Sequence, residues 1–125
     1  MATKRIRIKV GNIERSAELN ESKTASLIRD ALPIKARVNT WGDEIYFSIP
    51  VKAEPESPKE VVNIGDVGYW PDGSALCIFF GPTPISSEGE IRPASGVNLV
   101  GHILGDPQEF KKVSSGETIT VEQEE

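Results

Sequence analysis

Cysteine and histidine occur once each in the 125 residues, and these two scarcities exclude much chemistry at the outset. A lone Cys77 cannot close an internal disulfide, and with His102 alone it cannot build a Cys/His-rich structural zinc site. Long hydrophobic runs are missing too: nothing approaches the ~20 apolar residues of a bilayer-spanning helix. The opening MATKRIRIKV interleaves charge with Ile and Val, unlike the apolar core and cleavage site of a signal peptide, so a soluble, cytoplasmic protein without membrane association is expected. Positive charge is in deficit, with 14 Lys/Arg against 19 Asp/Glu and a net charge of −5, which argues against a general nucleic-acid binder. No Gly-x-x-x-x-Gly-Lys-Ser/Thr string and no Gly-x-Gly-x-x-Gly opening a helix occurs, so phosphate-cradling loops are excluded. No metal or cofactor is implied.

What is present is alternation. Such a length fits a single domain over residues 1–125. KRIRIKV sets Ile6, Ile8 and Val10 against Arg5, Arg7 and Lys9, the period of a half-buried strand. Gly11-Asn12 then supplies a hairpin loop, and IERSAEL returns. Counting outward pairs Lys9 with Glu14 and Arg5 with Glu18 on the wet face, Val10 with Ile13 and Ile6 with Ala17 on the dry one. The charge is uneven: residues 1–37 hold nine Lys/Arg against four Asp/Glu, residues 38–125 five against fifteen. A basic strand paired with acidic neighbours accounts for this.

Ser22 suits the N-cap of a helix over residues 23–32, which Pro33 stops. IKARVNTWGDEIYFSIP reads as a second hairpin around Gly42-Asp43, pairing Val38 with Phe47, Ala36 with Ile49 and Thr40 with Ile45 inward. Its other face collects Arg37, Asn39, Trp41, Glu44, Tyr46 and Ser48, two large aromatics among polar groups. After an acidic connection at 53–60 comes GDVGYWPDGSALCIFFGPTP, two continuous apolar runs around Pro71-Asp72-Gly73-Ser74. Such runs are buried on both faces, so this hairpin belongs at the centre of the fold. A long Pro/Ser/Gly/Glu loop over 82–96 follows, of a length that is functional or disordered in compact domains. VNLVGHIL is another strand, with Leu99 and Ile103 expected inward. Asp106 and Pro107 open a short helical turn near 107–112, ETITVE forms a last strand, and 122–125 make a frayed acidic end. Strands far outnumber helices, so the class is mainly β, a barrel or sandwich.

Catalytic constellations are sparse. His102 sits mid-strand, where a hydrogen-bonded structural role is the ordinary one, and Cys77 lies in an apolar run where a thiol is a small hydrophobe with a raised pKa. Asp43, Glu44, Asp66 and Asp72 sit at turn positions that use carboxylates for local hydrogen bonds.

Three strings in order, LPIKARVNTWGDEIYFSIPV, GDVGYWPDGSALCIFFGPTP and NLVGHI, resemble a small prokaryotic family of cyclophilin-like proteins, over residues 24 to about 121. The resemblance implies a closed antiparallel cyclophilin-like β-barrel. It does not imply isomerase activity: the Phe-His-Arg string of true cyclophilins is missing, and Ile78 stands where their Gln precedes two phenylalanines, here Phe79 and Phe80. Arg37 or Arg92 would have to replace the missing guanidinium. The resulting expectation is a binding module whose rim of Arg37, Trp41, Tyr46, Phe80, Thr83, Arg92 and Ser95 receives a peptide or small molecule. A divergent prolyl isomerase and a purely structural interaction subunit are the alternatives.

Overall fold

The computed structural model describes residues 4–124. The first hairpin, β1 (Lys4–Val10) and β2 (Ile13–Leu19), pairs in the register read from its alternation, Val10 with Ile13 and Arg5 with Glu18. Gly11 turns it at φ 57°. Helix α1 (Lys23–Asp30) starts at Ser22, whose hydroxyl accepts from the Ala25 N–H at 3.1 Å. It ends two residues before the expected 32. Ala31 is already the C-cap, and the following Leu32–Pro33 peptide is cis. The buried face is Thr24, Ala25 and Ile28, whereas Leu27 is exposed.

The chain continues through β3 (Ile34–Arg37), β4 (Asn39–Thr40), β5 (Glu44–Ser48), β6 (Asp66–Trp70), β7 (Ala75–Phe79), β8 (Asn98–Ile103) and β9 (Thr118–Gln123). These strands form one antiparallel sheet in the order β3-β9-β1-β2-β8-β6-β7-β5-β4. Closure into a barrel is local. β3 and β4 lie at opposite edges of that order yet are separated in sequence by Val38 alone, so one chain segment joins both edges. This corrects the second hairpin. Thr40 does pair with Ile45, but Ala36 pairs with Ile119 of β9 rather than Ile49, because at Val38 the backbone turns to Glu117 and Gly116.

β7 explains why its sequence is continuously apolar. Leu76 and Ile78 point into the barrel with Ile6, Ile8, Phe47 and Tyr69, while Cys77 and Phe79 point outward into a second cluster with Val62, Ile91 and Val97. The long loop covers that outer face, so an antiparallel strand is buried on both sides. Inside, the Tyr69 hydroxyl donates to the Val51 carbonyl at 2.7 Å. On β8 a bulge sets Val67 opposite Gly101 but Gly68 opposite Leu99. The extra residue switches the faces, so Asn98, Val100 and Ile103 are buried and Leu99 is half-buried on the outer cluster.

Asp106 caps the 3-10 turn Pro107–Lys112, accepting from Gln108. Glu109 there pairs with Arg15. Residues 122–124, expected to fray, are held. Gln123 pairs with Ile6, and the Glu124 carboxylate receives Arg7 and Ser16; Glu125 lies outside the described residues. Lys9 meets Glu122 and Arg7 meets Glu14, so the basic strand finds its acids partly in β9. Among the described residues no helix is long and apolar enough to cross a membrane.

Candidate functional site

A cavity of about 280 Å³ lies on the outer barrel wall, between β5, β6 and β7 and the returning loop. Its positions follow from strand alternation. Ile45 and Phe47 of β5 face inward, so Glu44 and Tyr46 face out. Across the ladder Glu44 opposes Phe79 and Tyr46 opposes Cys77, which makes Glu44 and Cys77 diagonal neighbours on one face. The turn before β5 adds Trp41, whose N–H donates to the Glu44 carbonyl at 2.9 Å, with Gly42 at φ 60°. A side chain at Gly42 would also strike Pro84, so this turn seats directly on the loop.

Trp70, at the end of β6, forms the facing wall. Its ring meets Tyr46 edge-on, centroids 6.5 Å apart at 78°. The indole N–H donates to Ser95, whose hydroxyl donates to Asp72 at 2.8 Å. Gly73 makes room beneath: a Cβ there would lie 2.6 Å from the indole. Pro93, Ala94 and Val97 close the cavity from the loop. That loop is ordered by Ser86, whose Oγ accepts from the Thr83 and Arg92 N–H groups, and by the bridges Val62–Ile91 and Lys59–Val97.

The one carboxyl among the described lining residues is unusual. Glu44 is 5% exposed, and its Oε1 has no hydrogen-bond partner. Burial pushes its pKa up to about 7; a hydrogen bond with the Cys77 thiol acts more weakly in the other direction. Burial, with the nearby carboxylate, raises the Cys77 thiol well above its ordinary value, so it is a thiol and not a ready nucleophile.

The seven residues named from sequence are dispersed. Trp41 and Tyr46 line the cavity, and Ser95 touches it through Trp70. Phe80 points into the barrel against Phe110, centroids 6.2 Å apart. Thr83 is buried within the loop, its hydroxyl donating to the Arg92 carbonyl. Arg92 is held by Glu90 at 2.9 Å and by Glu60 at 4.0 Å. Arg37 is exposed on β3, opposite Thr118. Glu44, Trp70, Cys77, Pro93, Ala94 and Val97 were missed as site residues. Glu44 shares the parity of Tyr46, which was the available signal, but its place beside a turn gave it a local hydrogen-bonding role. His102 is exposed on β8 opposite Glu18 and Asp66, outside the cavity. Among the described residues no group of three or more His, Cys, Asp or Glu is placed to hold a metal ion.

The family model described as Cyclophilin-like matches residues 4–122, and the chain belongs to that family. Its structure is similar to the solution structure of a hypothetical protein from Archaeoglobus fulgidus, at 46% identity and a TM-score of 0.83, covering 98% of this chain and 95% of that one. No curated protein matched.

Proposed function

We propose that the outer-wall cavity is a ligand site and that the chain is a cytoplasmic binding module without efficient prolyl-isomerase activity. The observation that carries this reading is that Trp41, Tyr46, Trp70 and the buried Glu44 line one cavity. Its volume, about 280 Å³, is near the lower end for ligand cavities. The occupant is therefore the size of a side chain, free or carried on a peptide. Against rapid isomerisation stands the nature of the polar group. A twisted prolyl amide needs donors preorganised for its developing charge, and the described lining residues include no arginine, Arg92 being engaged by Glu90 and Glu60.

Both tryptophans of the chain line the cavity, so intrinsic fluorescence reports on it directly. Titration with short X-Pro peptides and with small ring compounds should give a saturable change. A coupled assay on the same peptides should give a rate more than about tenfold below an authentic cyclophilin, a barrier difference above ~1.4 kcal/mol. A rate within that factor would make the chain an isomerase, and fluorescence unresponsive to every compound would remove the ligand site.

A further inference from the structure

We propose that the ligand class of this cavity is the small organic ammonium ion, a compact cation with an apolar shell. This rests on the reading of the cavity as a ligand site and names what it selects. Three aromatic rings and one acid line it: Trp41, the edge-to-face pair Tyr46 and Trp70, and Glu44, which supplies negative charge when ionised. Among the described residues no lysine or arginine lines the cavity. Lys111, the cation near the adjacent Asp43, lies 3.8 Å from that carboxylate. Buried carboxylates are ordinarily paired or neutralised, because an unpaired one is costly in a low dielectric. Glu44, with Oε1 unpartnered and 5% of its surface exposed, has neither a cation nor a full hydrogen-bond set beside it. A cation held among the rings supplies the missing counter-charge.

The two parts act on the same feature of the ligand. Aromatic faces attract a cation through their quadrupole, most strongly for tryptophan and most effectively when the site is desolvated. A carboxylate attracts it by Coulomb's law, which needs no direct hydrogen bond and so acts through a shell of methyl groups. An anion would be repelled by Glu44. A neutral molecule of equal shape would gain burial alone.

Choline and its uncharged isostere 3,3-dimethylbutan-1-ol differ in that charge and little else. Isothermal titration calorimetry at pH 8, above the raised value of about 7, keeps Glu44 ionised. Choline should bind the wild-type protein at least tenfold more tightly than the alcohol. Glu44→Gln should bring the two within about twofold while the alcohol still binds, which also shows the variant cavity to be intact. Trp41→Leu, at a half-buried position, should weaken choline more than the alcohol. Equal affinities in the wild type, or a choline preference unchanged in Glu44→Gln, would overturn the ammonium assignment and leave the ligand site standing. Failure of both compounds to bind would overturn the assignment and count against the site itself.

Discussion

Glu44 and Cys77 meet diagonally across β5 and β7, a carboxyl and a thiol on the outer wall of the barrel, both with pKa values raised, although the thiol's hydrogen bond by itself lowers that of Glu44. For Glu44 the rise is dominated by burial, and it makes the protein's stability depend on pH in a window that most carboxylates leave untouched.

In the unfolded chain Glu44 titrates at its ordinary value of 4.5; in the folded one it titrates at about 7. Below 4.5 both states carry the proton, and between the two values only the folded state does. The favourable contribution of this group is therefore fully present at acidic pH and is lost as pH rises through 7. The facing thiol, Cys77 from β7, stays neutral across this window. At 1.36 kcal/mol per unit the effect is about 3 kcal/mol. Urea denaturation of wild type and Glu44→Gln from pH 5 to pH 8 should show the variant gaining on the wild type by that order. Parallel profiles would contradict the burial of this carboxyl.

Leu76 tests the barrel interior. It is fully buried between Phe47 and Tyr69 on the neighbouring strands, so Leu76→Ala should cost ~2 to 5 kcal/mol, from lost transfer energy and a residual cavity. A loss below about half a kcal/mol, against the cost expected of such a cavity, would place Leu76 outside the core.

What was legible in the sequence was whatever depends on period and local turn chemistry. The first hairpin came out residue for residue, because charge and apolar registers agreed around Gly11-Asn12. β7 was recognisable as two-sided because no polar residue interrupts it. Less was legible where the answer depends on distant chain. The departure of Ala36 to β9 depends on barrel closure, and the face switch on β8 depends on a bulge at Val100 that leaves no mark in an apolar run. The site was half legible. Trp41 and Tyr46 share a parity that could be counted, whereas Arg92 is turned away by acids on its own loop and on the 53–60 connection.

Glu124 tests the ordering of the C-terminal strand. Its carboxylate receives Arg7 and Ser16, which hold its pKa below the ordinary range. Glu124→Gln should lower Tm slightly, and the loss should shrink as salt is raised, since Arg7 is exposed to screening. A loss independent of salt would mean that packing, rather than charge, fixes this end.

Gly73 tests how the cavity wall is held. Gly73→Ala puts a Cβ into the space of the Trp70 ring, at 2.6 Å in the present geometry. The ring must then shift from Ser95 and Tyr46. Tryptophan emission should change, and affinity for cavity ligands should fall at least severalfold, while far-ultraviolet circular dichroism stays as in the wild type. Unchanged emission and affinity would show that Trp70 does not form the wall.

The central claim, that the outer-wall cavity takes a ligand, is tested most directly by nitrogen-15 NMR shift mapping during titration with choline, 3,3-dimethylbutan-1-ol and a short Ala-Pro peptide. For at least one of them the Trp41 and Trp70 indole N–H signals should move together with the amides of residues 44–46 and 94–97, in one saturable process. Signals of β1 and β9, across the barrel, should stay in place. Shifts centred on α1 or on the β1–β9 side, or a cavity silent to all three compounds, would contradict it.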